Sequence, residues 1–530
     1  MEPTSPRRRA SNELFIGREM TAEDEESIKK LKKSNSQMGN NKSTRSSTSL
    51  VDPPTPGDIT NLNLETIATP SPLTAKPDEF DDEKELMSLP CYHGYIARED
   101  LTNILSNTGD YLIRRTILNE NRNKPDAKPN FLCEVILSVF TSTTEQKNLG
   151  KGTKSQTKKT KQERVTNLVT NILLRREGKQ WQANELKFDT IQQLLDHFTK
   201  TDGFLKAKKF RLKTPVTKLE WEFSHSDVTV GKMVGEGAYG EVFCGTLRLK
   251  NGQVVDCAIK MMKNMEQHKT RERIREMMKE ARLMRHLKHV NIVSIYGVAV
   301  DQQPPFLLLE FITGGSLIGF LKKAIFWNTD LTTELKIKMC LDAARGIEYI
   351  HKMVIIHRDI AARNCLITRD KVVKITDFGL SKQGTSYRMM DRQKLAPRWL
   401  APEALMETVW TSATDVYAFG ILVYEIWTNC KQPYEGLTPK AAKNRITTGQ
   451  FLTLPPSCPS ALSSYVAQKI FVYDLTKRAA MSEVVQTLER ISKMNLSTMT
   501  SPAIKSVRPQ KSTAATSLMA KQESRKFSRI

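Results

Sequence analysis

His357-Arg358-Asp359-Ile360-Ala361-Ala362-Arg363-Asn364 reads HRDIAARN, and Asp377-Phe378-Gly379 follows thirteen positions after Asn364. A proton-accepting Asp, a metal-binding Asn and a second metal-binding Asp in this order are the residue set of a phosphoryl-transfer centre. Either motif alone arises by chance. Together, each preceded by an apolar strand-like run, they rarely do.

Upstream, Val228 to Val234 is strand-like and runs into Val234-Gly235-Glu236-Gly237-Ala238-Tyr239-Gly240-Glu241-Val242. Glycines let backbone N–H groups approach phosphates without a Cβ in the way. GxGxxG alone is weak, because dinucleotide-binding folds share it. There the chain passes straight into a helix. Here a second strand-like run, Glu241 to Leu249, predicts a hairpin lid instead. Ala258-Ile259-Lys260 lies on the next strand, and a lysine near phosphates needs a counter-ion to hold it. The helical stretch Arg271 to His286 offers Glu272, Glu276 and Glu280, spaced four apart on one face, and periodicity does not choose between them.

The lid, AIK, the helix acids, HRD, DFG and Ala401-Pro402-Glu403 together resemble the protein-kinase domain, over roughly 225 to 492. The resemblance implies a small β-rich lobe, a larger helical lobe, and ATP with magnesium or manganese between them. It selects Glu280 from Glu280-Ala281-Arg282-Leu283-Met284 as the partner of Lys260. It implies that Asp359 accepts the acceptor's proton, that Arg363 supports charge near the transferred group, and that Asn364 and Asp377 bind metal. The lid from Val234 to Gly240 would cover the phosphates. Val242, Ala258 and Leu366 would sandwich the base, Leu309 would be the gatekeeper, and Glu310-Phe311-Ile312 the hinge. Phe378 would pack to set the active or inactive state. Ala361-Ala362-Arg363 replaces the lysine usual in Ser/Thr kinases, and Arg398-Trp399-Leu400 resembles a tyrosine-kinase substrate platform. Asp415 resembles the helix acid that ties down the catalytic loop, and Arg478 is placed to pair with Glu403. Tyr387 is the only tyrosine from Asp377 to Glu403, and a phosphate on it would find Arg358.

Residues 89 to 216 are also globular in composition. Tyr111-Leu112-Ile113-Arg114 reads as a buried strand that ends in an arginine, which calls for an anion. Cys91-Tyr92-His93-Gly94 and Tyr111-Leu112-Ile113-Arg114-Arg115-Thr116 resemble the opening and the phosphate-binding strand of an SH2 domain. The resemblance implies a central antiparallel sheet flanked by two helices, with Arg114 forked onto phosphotyrosine and helped by Arg98 and Thr116. Strands at Cys133 to Phe140 and Val169 to Arg175 and a helix from Ile191 to Phe198 would complete it. Asn171 and Leu173 stand where the family carries histidine and a basic residue, which predicts weaker ring contacts. A Lys-rich insertion spans about 141 to 166, either touching acidic lipid or merely solvated.

The fold class is therefore α+β. A disordered arm (1–88), the SH2-like module (89–216), a linker (217–224) holding Trp221, the kinase-like domain (225–492) and a basic tail (493–530) are expected. The arm is rich in Ser, Thr, Asn and Pro and has no Tyr or Trp. Its Arg7-Arg8-Arg9-Ala10-Ser11 and its Ser-Pro and Thr-Pro pairs resemble phosphorylation sites. Ser528-Arg529-Ile530 fits a PDZ-ligand pattern weakly. The tail has no tyrosine, so no Src-type inhibitory tail site is expected. A net charge of +23 favours anionic partners or simply keeps the arms soluble. No nucleic-acid module is recognisable. Eight scattered cysteines without a CxxC pair suggest neither zinc nor a disulfide framework. Neither a signal peptide nor an N-myristoylation pattern is present.

The order of modules is similar to the Fes/Fer group of cytoplasmic tyrosine kinases, without its N-terminal membrane-bending domain. The resemblance implies a monomeric cytoplasmic protein-tyrosine kinase that acts on protein tyrosines and docks on phosphotyrosine proteins. Recruitment to an acidic plasma-membrane surface would run through the basic segments. The rival expectation is a phosphotyrosine-binding adaptor with a silent kinase domain.

Overall fold

The computed structural model describes residues 77–119, 131–141, 168–205, 208–237, 240–262, 267–389 and 396–500. The phosphorylation motifs of the arm, the Lys-rich insertion, the lid residues Ala238 and Tyr239 and the terminal Ser-Arg-Ile lie outside them. Among the described residues no helix is long and apolar enough to cross a membrane.

The first module holds helix α1 (Pro77–Ser88), a short helix α2 (Leu101–Ile104), strands β1 (Asp110–Asn119), β2 (Phe131–Phe140), β3 (Val169–Glu177), β4 (Gln180–Ala183) and β5 (Leu186–Phe188), helix α3 (Ile191–Lys200) and strand β6 (Thr214–Pro215). The sheet runs β5-β4-β3-β2-β1-β6 and is antiparallel except where β6 joins β1. Apolar residues at Ile191, Leu194, Leu195 and Phe198 give α3 one buried stripe. The Thr190 side chain caps it by accepting from Gln193 N at 3.2 Å.

Two boundaries differ from the sequence reading. Pro77–Ser88 falls inside the stretch expected to be disordered, yet it is helical, and Leu86 is fully buried. Glu85 fixes it to the sheet and to α3, accepting from Trp181 Nε1 at 2.9 Å and from Ile191 N at 2.7 Å. A polar composition around one well-placed leucine and one capping acid conceals such a helix. The expected linker also differs. Glu222–Phe223, here β7, pairs in parallel with a strand of the next sheet.

That second sheet contains β8 (Val228–Gly237), β9 (Gly240–Arg248), β10 (Val254–Met261), β11 (Ile295–Ala299) and β12 (Phe306–Glu310), in the order β8-β9-β10-β12-β11-β7. β8 and β9 pair antiparallel from Val228↔Leu247 to Gly237↔Gly240, the expected hairpin lid. Gly297 leaves room for the connector: a Cβ there would lie 2.0 Å from the Trp221 carbonyl oxygen. Helix α4 (Gln267–Met284) packs beside this sheet and against α2 and β1 of the first module. The helical lobe follows with α5 (Leu317–Phe326), α6 (Thr333–Lys352), α7 (Ser412–Trp427) and α8 (Met481–Thr500). α7 holds the apolar run Val416 to Tyr424 and is buried nearly all round, so it serves as the lobe's central post.

The two modules share a core. Leu101, Ile104, Leu105 and Ile117 belong to one buried cluster with Ile274, Met277 and Met278 of α4. Arg275 pairs with Glu99 at 3.0 Å and Arg282 with Asp100 at 2.7 Å. Buried His93 lies 2.7 Å from Glu222 through Nδ1 and 2.9 Å from the Val216 carbonyl through Nε2. Trp221 stacks under the Arg285 guanidinium at 3.9 Å.

Candidate active site

The catalytic loop hangs from α7. Asp415 accepts from the backbone N–H of His357 at 2.7 Å and of Arg358 at 2.9 Å. His351 Nε2 lies 3.1 Å from the same carboxylate. Two non-glycine residues here hold positive φ, Arg358 at 74° and Asp377 at 62°. Such strain persists only where surrounding bonds over-determine it. The Asp415 carboxylate supplies those bonds at Arg358.

Within the loop, Asn364 Nδ2 donates to Asp359 Oδ2 at 2.6 Å and to the Asp359 carbonyl at 2.8 Å. Arg363 pairs with the other Asp359 oxygen, and its guanidinium lies 4.6 Å from the Trp399 ring centroid. The loop thus presents one carboxylate, held at both oxygens, beside the platform residue Trp399. Strands β13 (Cys365–Ile367) and β14 (Val373–Ile375) then form a hairpin, and Thr376 N donates to the Asn364 carbonyl at 3.0 Å. This carries Asp377 to the same cleft.

Across the cleft, Lys260 Nζ donates to Glu280 Oε1 at 3.0 Å, to Glu280 Oε2 at 3.1 Å and to Asp377 Oδ1 at 3.2 Å. Of the three helix acids, Glu280 alone is buried: Glu272 is exposed, and Glu276 pairs outward with Arg273. Burial opposes the Lys260 charge, but Asp377 and Glu280 outweigh it and hold its pKa above the usual lysine range. Burial likewise opposes the Asp377 carboxylate, yet Lys260 keeps its pKa below the usual range. One ammonium serving two acids leaves burial dominant at Glu280, whose pKa rises.

The remaining cleft residues follow from register. Val242 faces Lys260 between β9 and β10, and Ala258 faces Leu309 between β10 and β12. Val242, Ala258 and Leu366 are half-buried, Leu309 and Ile312 are buried, and Val234 is exposed. Glu310 pairs with Lys374 at 2.9 Å, so its side chain is turned to a structural task. Gly235 and Glu236 oppose Val242 and Glu241 in the lid. Phe378 is 1% exposed, with its ring edge-on to His357 at 5.0 Å.

Tyr387 lies on β15 (Ser386–Arg388), opposite Trp410 of β16 (Val409–Thr411). The Arg358 guanidinium is 4.6 Å and Lys382 Nζ 4.9 Å from its ring centroid. Burial and the neighbouring Lys279 push the Lys382 pKa down to about 8.

In the first module Arg114 is 5% exposed. Its Nε donates to Ser138 Oγ at 3.1 Å and its Nη2 to Asn171 Oδ1 at 3.2 Å, while Ser138 donates to Asn171 at 2.8 Å. Asn171, which sequence reading treats only as a departure, is therefore one of two residues that orient the arginine. Thr116 follows two positions along the same strand face, half-buried, and Arg98 is exposed.

Glu425 was not singled out as functional by sequence reading. It accepts from the Ala362 backbone N–H at 2.8 Å, a second support for the catalytic loop. The signal was present: an acid inside the apolar second half of a helix is seldom buried without a task. Burial pushes its pKa up to about 7, against the lowering by that N–H and by Arg363. A carboxyl near 4.5 unfolded and near 7 folded keeps its proton in the folded state between those values. That stability is fully present below the lower value and lost as pH rises through the upper. Glu425→Gln should therefore stabilise the protein at pH 8 by on the order of 3 kcal/mol and have little effect at pH 4.5. Equal melting shifts at both pH values would contradict a buried ionising carboxylate.

A family model described as protein tyrosine and serine/threonine kinase matches residues 228–488. Human tyrosine-protein kinase Fer is 31% identical over 415 residues, covering 78% of this chain and 45% of its own length. Fer-related kinase 1 of Caenorhabditis elegans is 29% identical over 412 residues, covering 76% of this chain and 94% of its own. The transforming tyrosine-protein kinase Fps of avian sarcoma virus (strain PRCII) is 31% identical over 415 residues, 78% of this chain and 69% of its own. The chain belongs to the Fer/Fps family of tyrosine kinases. It spans less than half of human Fer and nearly all of the nematode relative. The Fer/Fps match extends well beyond the residues matched by the kinase model, consistent with an SH2-kinase architecture.

Proposed function

We propose that this chain is a protein-tyrosine kinase that transfers the γ-phosphate of ATP to tyrosine hydroxyls of proteins, recruited through a phosphotyrosine-binding module at 89–216 ahead of a kinase domain at 225–492. The observation that carries the reading is the assembled ion-pair set: Lys260 reaches Glu280 and Asp377 together, beside Asp359 and Asn364. In a catalytically silent scaffold nothing would require five polar side chains, Asp377 on strained backbone and Asp359 next to strained Arg358, to converge on one cleft.

In this reading Asp359 orients the tyrosine hydroxyl and takes its proton, steadied by Arg363 and Asn364. Lys260 grips the α- and β-phosphates, its position fixed by Glu280. Val242, Ala258 and Leu366 sandwich the adenine, and the backbone from Glu310 to Ile312 meets its edge. Among the described residues no three His, Cys, Asp or Glu side chains cluster as a metal cage. Asp377 and Asn364 offer two oxygen donors, which suits magnesium, an ion that takes its other ligands from phosphates and water. Bound there, magnesium would neutralise charge on the phosphate oxygens. A phosphate on Tyr387 would lie among Arg358 and Lys382 and so lock the activation segment. All eight cysteines are free thiols, which suits a reducing cytoplasm.

The test uses the full chain, ATP and magnesium with a tyrosine peptide and its serine counterpart. Phosphate should appear on the tyrosine peptide alone. Equal labelling of both would overturn the tyrosine assignment. Labelling of neither would leave the adaptor reading.

A further inference from the structure

Resting on the phosphotyrosine-docking reading, we infer that the phosphate site of the first module is completed by Arg271 from the kinase small lobe, so that one phosphotyrosine is held by both modules. α4 runs along the first module in fixed register. Arg275 is tied to Glu99 at 3.0 Å and Arg282 to Asp100 at 2.7 Å, while Ile274 and Met278 are buried with Leu101, Ile104 and Ile117. Arg271 stands one helical turn before Arg275 on the same face, and is exposed. That face looks onto Arg98, next to Glu99 in sequence, and onto β1, which carries Arg114.

The charges of Arg98 and Arg271 both reach Arg114: with burial as the larger cause, they push its pKa down to about 10. Glu99 opposes them, but its carboxylate is already engaged by Arg275. Three guanidinium groups thus converge with too little acid to balance them. Ser138 and Asn171 hold the Arg114 fork in place without adding negative charge. A surplus of positive charge around a buried, oriented guanidinium is what a phosphate dianion relieves. The ligand class is a phosphomonoester on an aromatic ring, and its oxygens would be shared between β1 and α4.

Anisotropy of a fluorescent phosphotyrosine peptide on the full chain, across a salt series, tests this. Wild type should bind and Arg114→Ala should not. Arg271→Ala should weaken binding about tenfold and flatten the salt dependence, with the melting temperature unchanged. Arg273→Ala, two positions on and turned to Glu276, should bind like wild type. Wild-type affinity and salt slope in Arg271→Ala, where Arg114→Ala has lost binding, would overturn the shared site. Equal losses in Arg271→Ala and Arg273→Ala would do the same, by reducing the effect to diffuse charge. Unchanged binding in Arg114→Ala would instead overturn the docking module itself, and the shared site with it.

Discussion

Asp359→Asn is expected to lower kcat for tyrosine phosphorylation by roughly 10^3-fold, within the range for losing a positioned general base. The substitution changes little in shape. An asparagine can still accept from Asn364 Nδ2 through its carbonyl oxygen, and the loop backbone remains hung from Asp415 and Glu425. What disappears is the proton acceptor and the charge that engages Arg363. The KM for ATP should move less than about twofold, because Lys260 and Glu280 lie across the cleft and are untouched. Steady-state kinetics with a melting curve separate the outcomes. A kcat near wild type would remove Asp359 from the chemistry, whereas a parallel loss of ATP affinity and melting temperature would point to a disrupted fold.

The second large effect is on stability. Arg478→Met should destabilise the kinase domain by about 3–5 kcal/mol, lowering its melting temperature by roughly 10 °C. The Arg478 side chain is fully buried and forks onto Glu403 at 2.8 and 3.2 Å. It also donates to the carbonyls of Ala413 at 2.7 Å and Val472 at 2.9 Å. Methionine fills much of the volume but strands a buried carboxylate whose other support is the Thr414 hydroxyl at 3.2 Å. Adding Glu403→Gln should recover part of the loss, because the double variant no longer buries an unpaired charge. Additive losses in the double variant would show that packing, not charge, dominates.

The cleft was legible in the sequence to an unusual depth because its chemistry sits in short, ordered segments. AIK, HRD and DFG each carry their functional residue within three or four positions. The choice of Glu280 over Glu272 and Glu276 was not legible from spacing: helix periodicity places all three together, and only the resemblance, then burial, separates them. The SH2-like site was half legible. Arg114 betrays itself as a charge in an apolar run, although β1 does not end there but continues to Asn119; its supports Ser138 and Asn171 come from two other strands, and neither is marked locally. Contacts between modules were invisible. His93 with Glu222 and Arg282 with Asp100 join residues more than a hundred positions apart, through ordinary surface-type side chains. Residues 217–224 misled because polar composition near a module boundary reads as a flexible joint, whereas a two-residue edge strand needs almost no sequence signature.

That edge strand bears on how the protein can be dissected. Val216 N donates to the Tyr111 carbonyl in one sheet, and six residues later Glu222–Phe223 borders the other. Between them the His93 ring bridges both ends. The join behaves less like a hinge than like a shared seam. A recombinant kinase fragment beginning after Phe223 would leave β11 with a bare edge, a template for sticking to other chains, and would strip the Trp221 indole from Arg285. Conversely, a protease that nicked the seam would leave two pieces still clasped by α4. Useful cut points for making either half alone therefore lie at the head of the seam, after Val216 for the first module, which keeps its bonds to Tyr111 and His93, and before Lys218 for the second, which keeps Trp221 and β7.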